Sequence, residues 1–350
     1  QMEMLESGYA TNVEFHYLHH APDGNAYDNP SEMAERIMAA TSTTGIGLTM
    51  LPVHYQYGGC DMRPLVRGQC RFHNDLDGFA ALCDSLRNGL GNLPADTVLG
   101  VAPHSLRAVP PGSLNFTHKL ANGGPFHMHL AEQRAEVEEV RHHLGARPVE
   151  WMLDNFEAGA DCCFIHCTQM QPHETSRLAA SGAIAGLCPI TEASLGDGVF
   201  DGVGWFNAGG MIAIGSDSNI RISLSEELRS LEYTQRLRDR SRAALATSSA
   251  STGRRILDAV IAGGASAAGR HTGQIASGYW ADLMALDKQS VALACRTKDR
   301  LIDSFIFAGD DHLVRDVWSA GRHLVIGGRH IAHDKITSTY RAAIASLHHD

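Results

Sequence analysis

Short apolar runs rich in branched and aromatic residues alternate with longer stretches whose apolar positions recur at helical spacing. The short runs predict strands at "NVEFHY" (12–17), "IGLTMLPV" (46–53), "TVLGVAP" (97–103), "PFHMHLA" (125–131), "CCFIHC" (162–167), "GAIAGLC" (182–188) and "MIAIGSD" (211–217). Helix signals fall between them: Ser31 before an apolar-periodic run closed by Gly45, Val137/Val140/Leu144 closed by Gly145, Thr168 and Gln171 before Pro172, and Ser223 with Glu226. Strands separated by helices indicate a parallel sheet, and seven such units are one short of a closed barrel. The expected fold class is therefore α/β, a (β/α)8 TIM-like barrel whose first βα unit is missing, with that unit expected upstream of Gln1. From Gly273 the texture changes to "GQIASGYWADLMALD" and "VRDVWSAGRHLVIGGRH", short strands broken by glycine turns. Residues 1–272 are thus expected to form the barrel (strands 2 to 8). Residues 273–350 are expected to supply the C-terminal part of a small β-sandwich domain and a terminal helix.

Within residues 125–131 side chains alternate, so His127, His129 and Ala131 face the barrel axis while Phe126, Met128 and Leu130 face the helices. Taken alone, these histidines fit a hydrogen-bonded core as well as a metal site. Two other strand ends change the balance. "FIHCTQ" carries His166, and "IAIGSDSN" carries Asp217 beside Ala213 and Gly215, which leave room. Catalytic zinc takes neutral imidazoles, a carboxylate and an open position for water. His129 and Asp217 supply two such ligands.

Composition narrows the partners. Lys+Arg total 29 against 39 Asp+Glu, a formal charge of -10, which argues against a nucleic-acid or anionic-membrane surface. Eight cysteines without a CxxC pair fit reduced thiols in a cytoplasmic protein. No apolar run reaches the roughly 18 residues of a membrane helix.

The ordered set His129, Glu132, His166 and Asp217 resembles the amidohydrolase superfamily of metal-dependent deaminases. The stretches "EFHYLHH" (14–20), "APHSLRAV" (102–109), "HMHLAEQ" (127–133), "IHCTQM" (165–170), "TEASLGDG" (191–198), "GSDSN" (215–219) and "VRDVWSAGRH" (314–323) are similar to its formimidoylglutamate deiminases over essentially the whole chain. The resemblance implies a hydrolase of a linear amidine C–N bond, converting N-formimino-L-glutamate to N-formyl-L-glutamate and ammonia in histidine degradation. It implies one Zn2+ per subunit, or another divalent metal, held by His129 and Asp217. His166 and Asp217 would deprotonate water, and Glu132 would pass a proton to the departing ammonia. Tyr17, His104 and Arg107 would bind the small anionic substrate, and the subunits would form a homodimer. The superfamily's HxH pair on the first barrel strand is absent, so the chain as given is expected to be inactive. Alternatives are another deaminase of the superfamily acting on a nitrogen heterocycle, or a non-catalytic fragment.

Overall fold

The computed structural model describes residues 1–347, so 348–350, the end of the predicted C-terminal region, lie outside the described residues. Strand β1 (Thr11–His16) pairs in parallel with β2 (Gly47–His54), which pairs in turn with β3 (Val98–Leu99) and β4 (Ala102–Pro103). Next come β5 (Phe126–Leu130), β6 (Cys162–His166), β7 (Ile184–Leu187) and β8 (Met211–Ile214), parallel and in that order. A parallel bridge from Val101 to Phe126 joins the two sets into one arc of a TIM-like barrel. Among the described residues β1 and β8 each have a strand partner on one side only.

The predicted strand at 97–103 is thus two short ones, broken at Gly100. A Cβ there would lie 2.4 Å from the Pro125 carbonyl oxygen and 2.7 Å from Leu51 Cδ2, so only glycine allows the chain to pass between its neighbours. The helices largely follow their end signals. Glu32–Thr44 and Arg134–Leu144 stop at Gly45 and Gly145, which adopt left-handed φ of 74° and 79°. The Ser223 side chain accepts from the Glu226 N–H to start Leu224–Asp239. Pro172–Ala180 starts at Gln171 with Glu174 closing the box, while the Thr168 hydroxyl instead donates to the Glu132 carbonyl at 2.6 Å.

Phe126, Met128 and Leu130 are fully buried against the helix layer, each burial contributing roughly 1.5–3 kcal/mol. The opposite faces of the strands build a second cluster inside the arc, with Cys163, Ile165, Ile184, Cys188 and partly buried Phe15. That division is the one the alternation in 125–131 predicts. Beyond the barrel, β9 (Leu283–Leu286), β10 (Val314–Ser319), β11 (Arg322–Ile326) and β12 (Arg329–His330) form an antiparallel sheet of order β12-β11-β10-β9. Among the described residues this sheet is a single layer. No described helix is long and apolar enough to cross a membrane.

Candidate active site

The C-terminal ends of β5 to β8 bring together residues far apart in sequence. His129 is the penultimate residue of β5 and Glu132 follows that strand, His166 ends β6, Cys188 follows β7, and Asp217 lies just past β8. Ala131, His166 and Asp217 all take left-handed backbone, with φ of 51°, 70° and 47°. Non-glycine residues held there cost about 1–3 kcal/mol each, and such strain concentrates where a side chain must be aimed.

The His129 Nδ1 donates to the His104 carbonyl at 3.0 Å, which leaves Nε2 as the unprotonated nitrogen. Burial pushes the His129 pKa down to about 3, and neighbouring His166 acts in the same direction, so the ring is neutral. His104 stacks on it with ring centroids 4.9 Å apart, and the His166 ring lies 5.6 Å away.

His166 is 1% exposed, and its Nδ1 donates to Glu192 Oε1 at 3.2 Å. Its Nε2 lies 3.8 Å from Glu132 Oε1 and 3.9 Å from Asp217 Oδ2. Burial alone would lower its pKa, but Glu192, Glu132 and Asp217 outweigh burial and raise it. Both neighbouring carboxyls rise as well. Burial dominates for each, Asp197 adds to it, and His166 opposes it. Donor atoms of His166, Cys188 and Asp217 lie within 4.8 Å of one another, so this group contains Cys188 and not His129. Burial raises the Cys188 thiol well above its ordinary value, which makes it a poorer ligand than a neutral imidazole. A neutral His129, its ring 5.6 Å from that of His166, and the Asp217 carboxylate are donor types that zinc takes.

The predicted substrate residues line the same mouth. Arg107 Nη2 lies 3.8 Å from Glu132 Oε2, and its Nε is buried without a hydrogen-bond partner among the described residues. Tyr17 and Tyr55 set their rings 5.9 Å and 4.7 Å from the His104 ring. Other histidines are structural: His127 Nε2 bonds the Ala267 carbonyl at 2.7 Å, and His19 Nε2 the Val53 carbonyl at 2.9 Å.

Sequence reasoning assigned no role to Cys188, Glu192 or Asp197. Glu192 Oε1 accepts from both His166 and the Cys188 N–H. Asp197 Oδ1 accepts from Gln133 Nε2 at 3.0 Å. The signal was present, because "TEASLGDG" places two acids directly after a barrel strand, where loops build barrel sites.

Comparisons with known proteins bear on the family and the fold. Residues 1–324 match the model of the amidohydrolase family. Formimidoylglutamate deiminase of Pseudomonas aeruginosa is 42% identical over 99% of this chain and 76% of its own length. The crystal structure of an amidohydrolase from Brucella melitensis superposes with a TM-score of 0.95 at 45% identity, over 99% of this chain and 76% of that one. An adenosine deaminase from Xanthomonas campestris with bound zinc shares the fold, with a TM-score of 0.78 at 21% identity over 98% of this chain and 73% of that one. A barrel arc with histidines and carboxylates gathered at its C-terminal strand ends, matched by that family model over most of its length, places the chain in the amidohydrolase family.

Proposed function

We propose that this protein hydrolyses N-formimino-L-glutamate to N-formyl-L-glutamate and ammonia. The observation that carries the reading is Arg107, a cation beside Glu132 whose Nε has no partner among the described residues. Such a fork suits an acidic substrate tail, whereas a neutral purine offers it no anion. The 42% identity to the Pseudomonas aeruginosa deiminase supports the same substrate class.

His129 and Asp217 would hold a zinc ion, which supplies a Lewis acid that lets water lose a proton near neutral pH. His166 then acts through Nε2. Its Nδ1–H is committed to Glu192, so Nε2 is free to take a proton from water with Asp217 Oδ2 close by. Glu132, at 3.8 Å from His166 Nε2 and raised by burial, carries a proton to the departing nitrogen. Arg107 binds a carboxylate, and Tyr17 and His104 close the pocket beside it. The family resemblance adds one zinc per subunit, a homodimer and a place in histidine degradation. Eight free thiols fit a cytoplasmic setting.

The test is product analysis with metal-loaded protein that carries an HxH strand ahead of these residues, and that same protein serves for every kinetic measurement below. Ammonia and N-formyl-L-glutamate should form in equal amounts from N-formimino-L-glutamate, with adenosine untouched. Deamination of adenosine, with N-formimino-L-glutamate left intact, would overturn the assignment.

A further inference from the structure

The loop after β7 carries a carboxylate that the steps above do not use. Asp197 is 6% exposed, and the described residues hold it from three sides. Its N–H bonds the Glu192 carbonyl at 3.0 Å, its carbonyl accepts from Gln169, and its Oδ1 accepts from Gln133. Gln133 and Gln169 lie in the segments that follow Glu132 and His166, so the acid is fixed relative to the residues that move protons. Its Oδ2 is buried without a hydrogen-bond partner among the described residues. Gln133 is the residue next to Glu132, so the bond to its side chain brings Asp197 to the same strand-end loop as that acid.

A buried carboxylate oxygen with nothing to accept from is costly unless a ligand supplies the donor. The substrate class proposed above has one. An alkyl formamidine is a strong base, so it arrives as R–NH–CH=NH2+, and hydrolysis gives R–NH–CHO and NH4+. The substrate's reacting end is a cation, while the product's is a neutral formyl group.

Resting on that functional reading, we propose that Asp197 is the residue that recognises the cationic formimino group, its Oδ2 accepting a hydrogen bond from the terminal nitrogen. Arg107 and Asp197 then select opposite charges at the two ends of one molecule. With this pair a neutral amide such as the product should be held less tightly than the cationic substrate.

Asp197→Asn tests this, because the amide oxygen still accepts from Gln133 while the negative charge is gone. KM for N-formimino-L-glutamate should rise about 10- to 100-fold, the loss of one charge-assisted hydrogen bond. The inhibition constant of N-formyl-L-glutamate, which carries the same carboxylates, should stay within about twofold. Parallel shifts in both constants would make Asp197 a structural residue and overturn the proposal, as would no shift in either. Failure of the functional reading has another signature: the unsubstituted protein would neither release ammonia from N-formimino-L-glutamate nor bind N-formyl-L-glutamate.

Discussion

Two clusters of charge sit at opposite ends of the barrel strands and differ in how completely they are paired. At the N-terminal ends of β1 to β3, Arg270 bonds Asp96 at 2.8 Å and Asp282 at 3.1 Å, while Arg322 grips both Asp96 oxygens at 2.8 Å. The Arg270 side chain is 0% exposed, and the cluster ties the barrel to the edge of the β9–β12 sheet. At the C-terminal ends of β5 to β8, Arg107, Glu132, His166 and Asp217 approach only to 3.8–3.9 Å. Ala131, His166 and Asp217 at that end hold left-handed backbone. The first cluster brings its ion pairs to hydrogen-bond distance, Arg270 Nε being left without a partner among the described residues, whereas the second holds its opposite charges apart, with donors and acceptors open for a ligand. The two ends should therefore respond differently to the loss of one member.

The largest effect on stability belongs to the closed end. Arg270→Ala leaves Asp282 without its arginine near the interior, while Asp96 keeps Arg322, and should cost about 3–5 kcal/mol, read as a lower urea midpoint, with kcat unchanged. Burial opposes ionisation of Asp96, but the bonds from Arg322 and Arg270 outweigh it and hold its pKa below the ordinary range. That contribution is present above the unfolded pKa and is lost as pH falls through the folded one, so the difference between variant and parent should shrink in acid. An undiminished difference in acid would take the ion pairs out of the explanation.

Arg107→Ala probes the open end more gently. It should lower kcat/KM for N-formimino-L-glutamate by the equivalent of about 1.5–3 kcal/mol, chiefly through KM, without lowering the urea midpoint. A stability loss with unchanged kinetics would move Arg107 into the structural class.

The smallest effect sharpens the comparison at the back of the site. Burial raises Glu227 to about 9, with Glu192 and Asp217 adding to the rise, so its carboxyl is neutral at pH 7. Its folded pKa exceeds its unfolded one, hence stability declines as pH climbs from the unfolded value through about 9. Glu227→Gln removes that penalty and keeps an acceptor for the Ile190 N–H. Tm should rise at pH 8 and change little at pH 5; equal shifts at both values would refute the titration.

How much of this the sequence carried depends on distance along the chain. Strands β1, β2 and β5 to β8 were legible because apolar runs and capping residues are local signals, and so was the nearness of His129, His166 and Asp217, since each sits at or just past the C-terminal end of a strand. The break at Gly100 was not, because it depends on where Pro125 and Leu51 pass. The clasp of Arg270 and Arg322 on Asp96 joins residues 174 and 226 positions apart and leaves no periodic trace. Glu192 and Asp197 lay inside a quoted motif, but their roles depend on facing His166 and Gln133, which only the fold reveals.

The central claim is that the open cluster serves turnover and not stability, and His166→Asn tests it most directly. Ammonia release from N-formimino-L-glutamate and Tm are measured on the same metal-loaded preparation. Removal of a general base costs about 10²- to 10⁴-fold in rate, so kcat should fall by that range while Tm holds. Near-normal ammonia release, or a collapse in Tm matching that of Arg270→Ala, would contradict it.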